Sequence, residues 1–195
     1  MSNTVYIATS LDGYIAREDG TIDWLMDLPN PDKSDYGFSV FLERIDGMIM
    51  GRKTFETVLE FKEWPYPKRL PIFVLSNSLG ELPGKLSAKV EIVSGELKKI
   101  IESLKERGIN NLYIDGGKTI QSFLKEDLID EMVITRIPIL LGSGIPLFDK
   151  NNLELEFEHV GTDVFNNMLV RSRYIRKRYL KAEYAMTSNN MTFGN

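Results

Sequence analysis

The chain contains no cysteine, which excludes disulfides, thiolate nucleophiles and cysteine-ligated metals. Its single histidine, His159, lies in a charged, strand-like stretch near the end. One histidine cannot build a multi-histidine zinc site, and this one reads as a solvated or edge-strand side chain. No apolar run approaches the ~20 residues that a membrane span needs, and Met1-Ser2-Asn3-Thr4 lacks the basic and apolar segments of a secretion signal. An excess of positive charge is missing as well. The 24 basic and 28 acidic residues are spread along the chain for a net charge of −4, unlike the basic footprint of a nucleic-acid binder. The Walker A loop and the Gly-x-Gly-x-x-Gly fingerprint are both absent. These absences describe a cytoplasmic protein with neither nucleic acid nor membrane as a partner.

What is present is ordinary in bulk: 195 residues, 43% hydrophobic and 27% charged, enough for one domain with a sizeable core. The informative features are two short glycine-bearing turns. Met48-Ile49-Met50-Gly51-Arg52-Lys53-Thr54 and Tyr113-Ile114-Asp115-Gly116-Gly117-Lys118-Thr119 each begin with a strand-like apolar run. Each turns at glycine and enters a helical pattern whose first residues include a cation and a threonine. A helix start presents unpaired N–H groups and the positive end of the macrodipole, so it favours an anion. Glycine admits the anion to the backbone, and Arg52 or Lys118 can neutralise it. Taken singly, either glycine also serves simply to turn the chain; the pair suggests a phosphate cradle and a nucleotide cofactor.

The patterning predicts strands over Val5–Ala8, Gly47–Met50, Ile72–Leu75, Val90–Val93, Leu112–Ile114 and Glu131–Ile137, the last running on toward Leu141. Helices are predicted over Asp35–Ile45, Arg52–Glu60, Glu96–Arg107 with Ser94 as N-cap and Gly108 as terminator, and Lys118–Lys125. Leu153–Val160 and Met168–Tyr174 read as a closing antiparallel pair, and the polar stretch 180–195 as a frayed tail or, alternatively, a partner-binding segment. Strands alternating with helices give an α/β protein: a mainly parallel central sheet with an antiparallel C-terminal edge. Ligands of such sheets collect at the carboxyl ends of the strands, where both glycine turns fall.

Four motifs in order carry a family resemblance: Ser10-Leu11-Asp12-Gly13-Tyr14-Ile15-Ala16, Met50-Gly51-Arg52-Lys53-Thr54, Asp115-Gly116-Gly117, and Pro138-Ile139-Leu140-Leu141-Gly142-Ser143-Gly144-Ile145-Pro146-Leu147-Phe148. Over about residues 4–179 the chain resembles the dihydrofolate reductase superfamily, in particular the branch of the reductase domain of riboflavin-biosynthesis deaminase-reductases and its stand-alone relatives. The resemblance implies a three-layer fold around an eight-stranded sheet and an NADPH-dependent reductase of a pterin- or pyrimidine-like heterocycle. It leaves open whether the acceptor is the phosphoribosylaminouracil intermediate. A true dihydrofolate reductase and a non-catalytic nucleotide-binding protein are the rival readings, and relatives in this branch often form homodimers.

By that resemblance the nicotinamide lies against Ala8 and Ile15. The pyrophosphate rests over Gly51, Arg52, Lys53, Thr54 and over Gly116, Gly117, Lys118, Thr119, with Arg52 and Lys118 as candidates for the adenosine 2′-phosphate. Ser76-Asn77 matches a Ser-Arg pair of the family, with Asn77 lacking the arginine charge. Asp35 stands where folate reductases carry an acid at the start of a helix, and Thr135 matches the threonine that supports it. Placed beside Phe38 and Trp24, the Asp35 carboxyl is expected to be raised, although a helix N-cap is the other ordinary role of such an aspartate. Arg69 is matched, through an inserted residue, to the arginine that holds the folate glutamate. Asp12 reads as a turn aspartate bonded to its own backbone.

Overall fold

A computed structural model of the chain describes residues 2–82, 89–149 and 154–178; the stretch 180–195 lies outside the described residues. The strands are β1 (Ser2–Thr9), β2 (Tyr14–Ala16), β3 (Gly47–Gly51), β4 (Ile72–Leu75), β5 (Val90–Val93), β6 (Asn111–Asp115), β7 (Glu131–Arg136), β8 (Ile145–Pro146), β9 (Phe157–Phe165) and β10 (Leu169–Arg176). The helices are α1 (Asp23–Met26), α2 (Phe38–Glu43), α3 (Arg52–Leu59), α4 (Leu97–Glu106) and α5 (Gly117–Lys125). Eight strands form one sheet in the order β5-β4-β3-β6-β1-β7-β10-β9, and β2 pairs with β8 in a separate two-stranded ribbon. All neighbours from β5 to β7 run parallel; β10 is antiparallel to both β7 and β9.

Alternation along the strands divides the core between two faces. Val5, Ile49, Phe73, Leu112 and Ile114 point to one face and are covered by Leu97, Ile100 and Leu104 of α4 and Ile120, Phe123 and Leu124 of α5. Met48, Met50, Ile72, Val74 and Tyr113 point to the other, beneath Phe41 and Leu42 of α2 and Phe55 and Val58 of α3. Because both faces are covered, the central strands read as continuous apolar runs such as Ile72-Phe73-Val74-Leu75. The β9–β10 hairpin closes on Asn166 and Asn167, both with positive φ (52° and 51°), the backbone that a two-residue turn of matching twist requires.

Three expectations are corrected. The helix expected over 35–45 begins only at Phe38, because Tyr36 (φ 50°) and Gly37 (φ 82°) are left-handed and break it. Ser94 is not the N-cap of α4: Glu96 occupies that position and no side chain caps the helix. The strand expected to run toward Leu141 ends at Arg136, and the following loop folds back instead, giving β8 its pairing with β2. The closing antiparallel pair is present as β9 and β10, although Leu153 lies outside the described residues.

Candidate active site

The two glycine turns are neighbours. In the sheet register Met50 of β3 pairs with Asp115 of β6, so the residues leading into Gly51 and Gly116 stand side by side at the carboxyl edge. The turns then interlock. A Cβ on Gly51 would lie 2.8 Å from Thr119 Oγ1, and one on Gly116 would lie 2.3 Å from Thr54 Oγ1. Each helix thus sets its threonine against the glycine of the other turn. Gly116 has a second reason to be glycine, a φ of 90°. Gly117 is equally confined, its Cβ position 2.8 Å from Ile15 Cδ1 of β2. The glycines therefore pack as well as turn, and α3 and α5 start together with their unpaired N–H groups at one edge.

The other cofactor candidates fall around this cradle. Ala8 and Thr135 are register partners on β1 and β7. Ser76 follows directly on β4, and its Oγ accepts the N–H groups of Ser78 and Leu79 at 3.2 and 3.0 Å. A groove of about 300 Å³ opens there, lined by Ser76, Asn77, Glu96 and Glu126 among others. Arg52 is paired with Glu56 at 3.0 Å, both exposed, a pairing easily exchanged. Lys53 and Lys118 are exposed.

Asp35 does not have the environment expected of it. Its Oδ1 accepts the Gly37 N–H and its Oδ2 the Ser39 N–H, each at 2.9 Å. The Ser39 hydroxyl and these two N–H groups hold the carboxyl below its ordinary value rather than above it. Asp35 is exposed and fastens the turn into α2 from two residues before Gly37, which holds the N-cap position itself. Thr135 is not among its partners. Arg69 is committed to the carbonyls of Leu42 and Ile45 at the end of α2. Asp12 does more than bond its own turn: it accepts Ser10 Oγ at 2.6 Å and the N–H groups of Leu141 and Gly142 at 3.2 and 2.8 Å. It thereby ties the loop after β1 to the loop before β8, and the Ser10 hydroxyl is the main reason its carboxyl lies low.

The carboxyl with the unusual environment is Asp115. It ends β6 on the α2–α3 face, one position beyond the pairing of Ile114 with Val5 and so beside Tyr6. Burial pushes its pKa up to about 6, against the opposing hydrogen bonds of the Gly116 N–H and the Tyr66 hydroxyl. Tyr113 Oη donates its one proton to the Tyr6 carbonyl at 2.9 Å. Motif matching passes over Asp115 because spacing records neither depth nor facing. The available signal was its alternation: Asp115 shares a face with Tyr113, a polar group at the end of a buried strand.

Above Asp115 lies an aromatic group. Tyr6 stacks on Phe41 at 4.5 Å and leans on Phe38 at 5.5 Å, while Trp24 and Tyr36 pack beside Ala8. Arg171 of β10 holds this arrangement: its Nη1 donates to the Tyr36 carbonyl and Tyr6 Oη, and its Nη2 pairs with Asp163 at 2.7 Å. A left-handed tyrosine is an uncommon conformation, and Tyr36 is kept in it by this guanidinium and by the turn bonds to Asp35. Among the described residues no group of three or more His, Asp or Glu side chains is placed to hold a metal ion.

The model of the RibD C-terminal domain matches residues 3–170. The chain belongs to the RibD C-terminal domain family. A Shewanella sp. PV-4 protein provisionally assigned to riboflavin biosynthesis is 53% identical, with a TM-score of 0.86 over 91% of this chain and 100% of that one. Uncharacterized protein YwjB of Bacillus subtilis (strain 168) is 37% identical over 163 residues, 83% of this chain and 90% of its own. The Thermotoga maritima diaminohydroxyphosphoribosylaminopyrimidine deaminase/5-amino-6-(5-phosphoribosylamino)uracil reductase shares the fold at 18% identity and a TM-score of 0.70, over 90% of this chain and 56% of its own. The architecture of this RibD-like domain is dihydrofolate-reductase-like, and the family supports a reductase on that fold.

Proposed function

We propose that this RibD-like domain is an NADPH-dependent reductase of a pterin- or pyrimidine-like ring, with Asp115 as the proton donor. The observation that carries the reading is the adjacency of the interlocked glycine turns and a half-buried, protonatable carboxyl: Gly116 follows Asp115 directly, and its N–H donates to Asp115 Oδ1 at 2.8 Å. The cradle fits the cofactor, since α3 and α5 begin side by side and each helix start carries N–H groups that an anion can take. The groove beside Ser76 and Asn77 suits the adenosine half, and Arg52 is within the same helix start to meet a 2′-phosphate. When bound, NADPH supplies a hydride to the carbon of an acceptor C=N or C=O bond. The electron pair of that bond passes to its nitrogen or oxygen, which takes the proton of the Asp115 carboxyl. Asp115 is left as a carboxylate and recovers its proton from solvent. Ala8, Ile15 and Thr135 border the reacting end and restrict water.

The test is absorbance-monitored NADPH consumption with a panel of free pterins and pyrimidines. Wild-type protein is expected to consume NADPH, and Asp115→Asn to bind it without turnover. Binding without consumption against the whole panel would favour the non-catalytic alternative and overturn the reading. For assembly we propose a homodimer through the outer hairpin, where Val160, Val164 and Val170 are exposed; a monomeric mass by light scattering would contradict it.

A further inference from the structure

Arg171 stands where three parts of the molecule meet. Its register partners are Thr135 of β7 and Asp163 of β9, and Thr135 in turn pairs with Ala8 of β1. One row of the sheet therefore runs from the hairpin edge to the residues that border the reacting end in the proposed reductase. The side chain is 21% exposed, and each of its three nitrogens is engaged. Nε and Nη2 donate to Asp163, and Nη1 donates to the Tyr36 carbonyl and the Tyr6 hydroxyl. The Tyr6 hydroxyl donates to the same Tyr36 carbonyl at 3.2 Å, which closes a triangle. A Cβ at Gly37 would lie 3.1 Å from Nη1, so the guanidinium also packs against the left-handed N-cap of α2.

The hairpin reaches Tyr36 by two further contacts. Phe165 meets its ring edge-on at 5.5 Å, and Asn166 Nδ2 donates to its hydroxyl at 3.4 Å. Phe165 also lies 4.7 Å from the Arg171 guanidinium, so the two supports brace each other. Tyr36 belongs to the cluster that includes Ala8, while Tyr6 stacks on Phe41 of α2 and stands beside Asp115. Arg173, two residues along the same strand, is employed differently: it joins Arg44 on the Glu131 carboxylate, away from both tyrosines. Tyr36 and Gly37 are left-handed in succession (φ 50° and 82°), a strained entry to a helix that persists only while its surroundings hold it.

We infer that Arg171 is a positioning residue of the reducing site, setting an acceptor wall formed by Tyr6 and Tyr36 without itself touching acceptor or cofactor. This deepens the reductase reading and rests on it. Without the guanidinium the Tyr36 carbonyl loses a charged donor and the strained turn relaxes, so the wall shifts. The bonds and contacts of Asp115 and of the glycine turns run to other residues and stay in place.

The experiment measures steady-state NADPH consumption by the full chain with 7,8-dihydropterin and with 5-amino-6-(5-phosphoribosylamino)uracil, alongside NADPH titration and urea unfolding. Arg171→Met is expected to raise the acceptor KM about tenfold, with kcat within about threefold and NADPH affinity unchanged. An arginine that served the fold alone would instead lower the folded fraction, and with it the apparent kcat, at an unaltered KM. Arg171→Lys, which keeps one charged donor but not the fork, is expected to recover part of the lost KM. Tyr6→Phe removes one corner of the triangle, and a rise in KM of about threefold is expected. An unchanged KM in folded Arg171→Met, or in Tyr6→Phe should the arginine variant not fold, would overturn the inference and leave the reductase reading standing. Failure of the wild-type chain to consume NADPH with either ring, or with any other of the pterin and pyrimidine panel, would remove the reductase reading and this inference with it.

Discussion

Asp35 and Asp115 are the same side chain in opposite surroundings on one face of the sheet. Asp35 lies in an exposed turn where two backbone N–H groups and a serine hydroxyl converge on it, and every one of those contacts favours the charge. Asp115 lies at the end of a buried strand, where withdrawal from water outweighs the hydrogen bonds it receives and lifts it to about 6. An exposed carboxylate bonded within its own turn holds a loop; one drawn partly out of water keeps its proton up to about pH 6. The contrast separates a turn-fastening role from the proton-donating one proposed for Asp115 without reference to motif position.

Substitution breaks the comparison most sharply. Asp115→Asn keeps an oxygen for the Gly116 N–H but cannot donate an acidic proton, so turnover is expected to fall about 10²–10⁴-fold with NADPH affinity unchanged. Asp35→Asn is expected to leave turnover within about threefold and to lower stability by about 1 kcal/mol, the usual net worth of a hydrogen bond. Steady-state kinetics and urea unfolding on the two variants decide it; a larger kinetic loss in Asp35→Asn would exchange their roles.

Next in size is the effect on folding. The Asp115 carboxyl is raised from 3.8 to about 6 in the folded chain. Below about pH 4 both states hold its proton. Between about pH 4 and 6 only the native state does, so raising the pH there removes stability, and above the folded value the loss is complete at roughly 3 kcal/mol. Asp115→Asn, lacking that ionisation, should therefore be more stable than wild type at neutral pH and lose the advantage in acid, as read by urea midpoints across the range. Asp35, held low, works the other way: its contribution is lost as pH falls through its lowered folded value.

The turn glycines sharpen the picture from the packing side. Gly116→Ala meets Thr54 Oγ1 at 2.3 Å on a backbone with φ 90°, and a loss of more than about 2 kcal/mol is expected along with cofactor binding. Gly95→Ala has a φ of 111° but nothing within 4 Å; about 1 kcal/mol of backbone strain is expected there. Equal losses at the two positions would mean that the interlock adds nothing. The smallest effect concerns the cofactor phosphate. Arg52→Ala should weaken NADPH about tenfold while sparing NADH, through loss of one charge-assisted hydrogen bond.

The sheet and its two layers were legible because apolar runs and helical spacing report burial directly. β4 and β5 match the expected Ile72–Leu75 and Val90–Val93 residue for residue. The glycine turns were legible too, since a glycine between strand and helix has a physical reason visible in the chain. What failed depended on contacts between distant segments. The spacing of Phe38, Phe41, Leu42 and Ile45 does form a helical face, but Arg171, far along the chain, holds Tyr36 left-handed and shortens the helix. β2 and β8 have three and two residues, too few for any period to show. Asp115 stood within a quoted motif, yet its depth is set by Tyr6, Tyr66 and Tyr113 on three separate segments.

Titration calorimetry with NADPH and NADH on the purified full-length chain tests the account most directly. NADPH is expected to bind in the micromolar range and NADH more weakly, which would assign the interlocked turns to a dinucleotide phosphate. No heat from either cofactor at high protein concentration would contradict the account. The glycines would then serve packing alone, and Asp115 would have no hydride acceptor to protonate.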